Sequence, residues 1–217
     1  MRAEAFVFDA YGTLYDVHSV HARCEACWPG KGMQLSQLWR ARQLEYTWQR
    51  SLMRRYAPFS TVTRAALAYA CEALGLELSA AQVESLMAEY LRLAVYPDVR
   101  ATLKELHAKR AILSNGSPDM LLPLVKHSGL EFDAVLSVDA LEVFKPAPQV
   151  YELAVRRLSV AKERICFVSS NGWDAQGAKS YGFSVCWINR LKAPLDRLGF
   201  KPDAILTSFG DLAAIAR

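Results

Sequence analysis

In Ala5-Phe6-Val7-Phe8-Asp9-Ala10-Tyr11-Gly12-Thr13-Leu14 four apolar residues run into a carboxylate and then into a Gly-Thr break. A short unbroken apolar run bounded by turn residues reads as a strand buried on both faces. The same texture returns further along the chain. Ala111-Ile112-Leu113 ends at Ser114-Asn115-Gly116, and Ala134-Val135-Leu136 follows. Ile165-Cys166-Phe167-Val168 ends at Ser169-Ser170-Asn171-Gly172; Phe183 to Ile188 and Ala204-Ile205-Leu206 complete the set. Between these runs lie amphipathic stretches that read as helices. One extends from Asp98, a candidate cap, to about Lys109; others cover Pro118 to His127, Pro148 to Leu158, Asp174 to Tyr181 and Asp211 to Ala216. Alternating buried strands and amphipathic helices predict an α/β fold, a Rossmann-like parallel sheet with helices on both faces.

From Val17 to Val95 no strand is legible. Leu35, Leu38, Trp39, Tyr46, Leu52, Met53 and Tyr56 recur near helical spacing; Thr61 to Leu74 and Ala80 to Leu93 read as two more helices, with Gly75 as a stop between them. The expected organisation is therefore a discontinuous catalytic core, residues 1–14 and 97–217, carrying an inserted helical cap subdomain, residues 15–96.

A chain of 217 residues with 52% hydrophobic composition can bury such a core and a smaller accessory unit. Its net charge of +4 is mild, and Arg54-Arg55 and Arg156-Arg157 are isolated pairs, so nucleic acid is not an expected partner. A slight positive balance suits small anions. The five cysteines, Cys24, Cys27, Cys71, Cys166 and Cys186, are odd in number and scattered, as in a reducing compartment. Cys24 and Cys27 lie in a helical stretch without a second pair, which fits neither zinc nor a thioredoxin-like motif. Glu4 interrupts residues 1–8, so no signal peptide is read there, and no apolar run approaches the roughly 18 residues of a membrane span. A cytoplasmic protein without membrane contact is expected.

Ligands of parallel sheets bind at the carboxyl ends of the strands, near the switch point. Those ends here carry Asp9, Ser114-Asn115, Ser169-Ser170-Asn171 and Asp174, with Lys145 in the loop after the third strand. Each alone has an ordinary use: Asp9 in a turn, Asp174 as a helix cap, Lys145 as a surface lysine before Pro146. Together, on one sheet edge, they read as a carboxylate nucleophile, Asp9, held by loop amides, with Lys145 supplying positive charge and Asp174 holding Lys145.

These residues resemble the haloacid dehalogenase superfamily across essentially the whole chain. Asp9-Ala10-Tyr11-Gly12-Thr13-Leu14 looks like its first motif, Ser114-Asn115-Gly116 its second, Lys145-Pro146 its third and Ser169-Ser170-Asn171-Gly172-Trp173-Asp174 its fourth. Most members transfer phosphoryl groups with magnesium, and a magnesium-dependent small-molecule phosphatase is the alternative reading. Three departures count against it. The phosphatase pattern has a second Asp two residues after the nucleophile, to protonate the leaving alcohol; here that position is Tyr11. Asn171 replaces one acidic metal ligand of the fourth motif, leaving Asp174. The segment Gln37-Leu38-Trp39-Arg40-Ala41-Arg42-Gln43-Leu44-Glu45-Tyr46 resembles the L-2-haloacid dehalogenase branch, in which the arginine at this place faces the departing halide. On spacing alone, Arg40 snorkelling from a cap helix is an equal reading.

The resemblance implies metal-independent and cofactor-free hydrolytic dehalogenation of short-chain L-2-haloalkanoic acids to D-2-hydroxyalkanoic acids through an ester on Asp9. The expected ligands are a small anionic 2-haloacid and its halide product. Expected catalytic residues are Asp9, Thr13, Arg40, Ser114, Lys145, Ser169, Asn171 and Asp174. Expected substrate contacts are Ala10, Tyr11, Arg40, Leu44, Phe59, Ser114, Asn115, Lys145, Tyr151 and Trp173, with Phe59 in a loop after Pro58. Arg40, the Asn115 amide and Trp173 would cradle the halide, and the bulk of Trp173 would favour small halides, fluoride included. Relatives in this branch imply a homodimer.

Overall fold

The computed structural model describes residues 3–215. Six parallel strands form one sheet: β1 (Ala5–Phe8), β2 (Lys109–Ser114), β3 (Ala134–Ser137), β4 (Ile165–Ser169), β5 (Ser184–Ile188) and β6 (Ala204–Leu206), in the order β3-β2-β1-β4-β5-β6. Every residue of β1 and β4 is buried, which is why these segments read as unbroken apolar runs. Strand order reverses between β1 and β4, so the end of β1 is the switch point. Phe8 pairs with Ile112 on one side and Val168 on the other, so Asp9 stands level with Ser169 and one residue short of Ser114. Parallel crossovers are almost always right-handed, which puts the helices of the two winding directions on opposite faces. Those connecting strands towards β3, α5 (Val99–Glu105) and α6 (Pro118–Ser128), cover one face; α7 (Pro148–Leu158) and α8 (Gly172–Tyr181), leading towards β6, cover the other.

The first crossover carries four more helices, α1 (Val20–Cys27), α2 (Gly32–Leu52), α3 (Phe59–Ala73) and α4 (Ala80–Tyr90). Each of α2 and α4 packs against both α1 and α3. One buried stripe runs down α2 at four-residue spacing: Leu35, Trp39, Gln43 and Thr47. Half of that stripe is polar, so its side chains need partners inside the helical layer. A bridge between Tyr15 and Val95 closes the base of the insertion.

Several boundaries differ from expectation. The helix after Asp98 ends at Glu105, and residues from Lys109 belong to β2. Asp98 takes the N-cap position of α5, as expected, but its side chain makes no capping bond; its carboxylate instead accepts from Arg190, Ser208 and the Phe209 amide. Asp174 makes no cap either, being buried in the first turn of α8. Phe59 is the first residue of α3 rather than part of a loop. A short final helix, α9 (Leu212–Ile215), matches part of the expected one; Ala216 lies outside the described residues. Among the described residues no helix is long and apolar enough to cross a membrane.

Candidate active site

Asp9 follows β1 directly, and its amide still donates to Val168 O at 3.0 Å, continuing the sheet ladder. The chain then turns sharply: the amides of Thr13, Leu14 and Tyr15 all donate to Ala10 O. This turn returns the Thr13 hydroxyl to Asp9 Oδ2 at 3.0 Å. Asn171, at the start of α8, donates from Nδ2 to the same Oδ2 at 2.8 Å and to Tyr11 O at 3.1 Å. The Ser170 amide donates to Thr13 Oγ1 at 2.8 Å, so the Thr13 proton is left for Asp9.

Lys145 reaches the same carboxylate from the loop before α7. Its Nζ lies 3.1 Å from Asp9 Oδ1 and 2.9 Å from Asp174 Oδ2, and the residue is 1% exposed. Asp174 also accepts from Tyr151 Oη at 2.8 Å and Ser169 Oγ at 3.2 Å. Ser169 in turn accepts from the Asn171 backbone N–H at 3.1 Å. Two carboxylates and one ammonium, all buried, would be costly without this dense pairing. Burial pulls Lys145 down, but Asp174 and Asp9 outweigh it and hold the ammonium above its ordinary value. Complete burial, with Asp9 nearby, lifts Asp174 to about 6 despite Lys145 and Tyr151. The Lys145 ammonium at 2.9 Å favours its ionised form.

Ser114 and Asn115 follow β2. Ser114 Oγ accepts from the Gly116 amide at 3.0 Å. Asn115 Oδ1 accepts from the Lys145 amide at 2.9 Å, which turns its Nδ2 donor away from Lys145 N. Tyr11 is buried against Phe59 and Tyr90, with ring centroids 5.6 and 6.2 Å away. Its hydroxyl is buried without a hydrogen-bond partner among the described residues, and burial pushes it well above the ordinary tyrosine value. Gly116 lies against this ring: a Cβ there would stand 2.8 Å from Tyr11 Cε2.

Arg40 and Leu44, on α2, line a cleft of about 550 Å³ together with Gly12, Asn171 and Trp173. Arg40 thus shares a cleft with Gly12, in the turn after β1, and its charge opposes the upward push of burial on the Tyr11 and Tyr90 hydroxyls. Trp173 meets Trp48 edge-on at 5.5 Å, and neither indole N–H has a hydrogen-bond partner among the described residues.

The structure brings Asp9, Thr13, Lys145, Ser169, Asn171 and Asp174 into one hydrogen-bonded network. Ser114 and Asn115 flank it, and Arg40, Leu44 and Trp173 line the adjoining cleft. Tyr151, expected at the substrate, is fully buried and spends its hydroxyl on Asp174. Gln43 and Thr63 lie outside the expected site residues, and Gly116 is expected only as part of the second motif. Gln43 sits three residues after Arg40, a spacing that was visible, whereas its partner Thr63 and the close approach of Gly116 to Tyr11 are long-range.

Comparison with known proteins agrees with this geometry. Residues 3–182 match a family model described as haloacid dehalogenase-like hydrolase. The chain is 49% identical over 210 residues to an (S)-2-haloacid dehalogenase of Pseudomonas sp. strain YL, covering 94% of this chain and 90% of the relative. It is 46% identical over 207 residues to haloacetate dehalogenase H-2 of Moraxella sp. strain B, covering 93% and 92%. A solved structure of L-2-haloacid dehalogenase from Xanthobacter autotrophicus with chloropropionic acid covalently bound superposes with a TM-score of 0.94 at 45% identity, covering 99% of this chain and 98% of that one.

Proposed function

The chain belongs to the haloacid dehalogenase-like hydrolases, and we propose that it hydrolyses the carbon–halogen bond of short-chain L-2-haloalkanoic acids to D-2-hydroxyalkanoic acids, with Asp9 as nucleophile. The observation that carries this reading is the Asn171 amide donating to Asp9 Oδ2 at 2.8 Å. By the family resemblance, the fourth motif of a phosphatase of this fold usually supplies a further carboxylate there to help hold a divalent ion. An amide donor satisfies Asp9 directly and adds no negative charge. The remaining acidic partner, Asp174, is bridged to Asp9 by Lys145. The residues present therefore fit magnesium poorly. Tyr11, buried beside aromatic rings and held protonated, is also no substitute for the carboxylic acid that would protonate a leaving alcohol. A halide needs no such proton.

The substrate carboxylate binds Ser114, Lys145 and the amides of the loop after Asp9. One Asp9 oxygen attacks C2 from the side opposite the halogen. The carbon–halogen bond breaks, halide leaves with its electron pair, and C2 inverts once. Arg40, the Asn115 Nδ2 and the Trp173 indole N–H face the halogen, where charge appears only as the bond breaks, so they stabilise the transition state selectively. Tyr11, Leu44 and Phe59 enclose the alkyl group. Water then adds to the Asp9 carboxyl carbon, and Lys145, Thr13 and Asn171 stabilise the oxyanion. Asp174, lifted to about 6, has a proton affinity suited to receiving the water proton, and Ser169 keeps it oriented. Collapse releases the hydroxyacid and restores Asp9. One water is consumed, and one halide and one proton are released. Tyr151 acts at one remove, by holding Asp174.

In this reading residues 15–96 close as a cap over a core of residues 1–14 and 97–217. The protein works as a cytoplasmic homodimer. Five free thiols suit that compartment, and the cap surface around the exposed Tyr69, with the half-buried Tyr46 and Arg42 beside it, offers a contact face. Parallel assays of halide release from L-2-chloropropionate and phosphate release from small phosphoesters, each with and without a chelator, test the activity. Chelator-insensitive halide release supports it; magnesium-dependent phosphate release with no halide release overturns it. Fluoride release from fluoroacetate, measured beside chloroacetate turnover, tests the preference of the Trp173 pocket for small halides.

A further inference from the structure

Gln43 is fully buried in the middle of α2, where an apolar residue would be the ordinary choice. Its hydrogen bonds form a chain whose direction is fixed at both ends. Phe59 O can only accept, so Thr63 Oγ1 donates to it at 2.7 Å. Thr63 Oγ1 thereby accepts from Gln43 Nε2, also at 2.7 Å. With its nitrogen committed, Gln43 presents Oε1 to Arg40, whose Nη1 donates to it at 2.6 Å. Arg40 can only donate, so the amide cannot reverse without breaking both contacts. The backbone that carries Thr63 is tied to α2 a second time by Trp39 Nε1 donating to Thr63 O at 2.8 Å.

We propose that Gln43, anchored by Thr63, is the positioning residue that aims the Arg40 guanidinium at the leaving halide. The inference rests on the dehalogenase reading and on Arg40 facing the halogen. A neutral amide suits this task better than a carboxylate. It restrains one nitrogen of the guanidinium fork without cancelling the charge that the departing anion must feel. A free arginine on a helix would sample many rotamers, and ordering it during the reaction would raise the barrier. Gln43 and Thr63 do that ordering in advance.

The test is halide release from 2-chloro-, 2-bromo- and 2-iodopropionate by wild type, Gln43→Met, Arg40→Ala and the double variant. Methionine keeps the buried volume and removes the hydrogen bonds. We expect Gln43→Met to lower kcat for the chloro substrate about tenfold. The loss should shrink for iodide, which needs less help to leave, and KM should move less than kcat. In the Arg40→Ala background the same substitution should change kcat less than about twofold, because the two residues act as one unit. Thr63→Val should reproduce the halogen-dependent pattern more weakly, and it stands in if Gln43→Met melts too low to assay. Equal losses for all three halogens, or a full loss persisting without Arg40, would make Gln43 a packing residue and overturn the inference. Fully active Arg40→Ala would remove the role of Arg40 itself. Absence of halide release by wild type would instead sink the dehalogenase reading and the inference with it.

Discussion

Lys145 Nζ stands between two buried carboxylates, 3.1 Å from Asp9 Oδ1, and that contact ties the β1 end to the loop before α7 across 136 residues of chain. The lysine remains charged because the carboxylates surround it, and one of them is the proposed nucleophile.

Asp9→Asn should abolish halide release, with kcat falling by at least about a thousandfold, since an amide is a poor nucleophile. The fold should survive, because Lys145 keeps Asp174 as its partner. Steady-state halide assays and a melting curve check both halves.

Asn171→Asp replaces a donor with a second carboxylate at hydrogen-bond distance from Asp9. Like charges raise the affinity of the pair for a proton. Halide release at neutral pH should fall about ten- to a hundredfold, and its acidic limb should move to higher pH. A pH–rate profile of the variant against wild type measures that displacement; an unmoved limb would count against the Asn171 contact.

The pH dependence of wild type follows from Asp174. Its folded value of about 6 lies above the ordinary carboxylate value of 3.8. As pH falls through about 6 the residue protonates, loosens its hold on Lys145, and activity should decline with an apparent pKa near that value. The sign for stability is opposite. A carboxyl whose folded value is raised binds its proton more tightly when folded. Its own contribution to stability is therefore fullest below about 4 and diminishes as pH rises through 6. Asp174→Asn should remove this limb from both profiles and lower kcat.

Gly116→Ala should disturb Tyr11. The added Cβ would lie 2.8 Å from Tyr11 Cε2 and 3.0 Å from its hydroxyl, so the ring must shift. We expect a stability loss of about 1–3 kcal/mol from this overpacking, together with a higher KM for 2-chloropropionate. Denaturant unfolding and kinetics on the same preparation separate the two effects.

What could be read in the sequence was whatever is local. Phe8-Asp9 announced itself because a strand buried on both faces has no polar residue until it ends, and Ser169 and Ser114 repeated the signal. Lys109 and Arg110 concealed the start of β2, since they lie at its exposed and half-exposed entry and look like the tail of a helix. Asp98 looked like a side-chain cap because its true partners, Arg190, Ser208 and Phe209, are about a hundred residues away. Asp174 looked like one too, until Lys145 and Tyr151 came into reach. The partnership of Gln43 with Thr63 needed the packing of α2 on α3 before it could be seen.

The most direct test is a single turnover of L-2-chloropropionate, with enzyme in excess, in water enriched in heavy oxygen. The first hydroxyacid should carry ordinary oxygen taken from Asp9, while the label enters the Asp9 carboxylate and is found in the peptide that contains it. Label appearing directly in the hydroxyacid of that first turnover, with Asp9 unlabelled, would contradict the ester route.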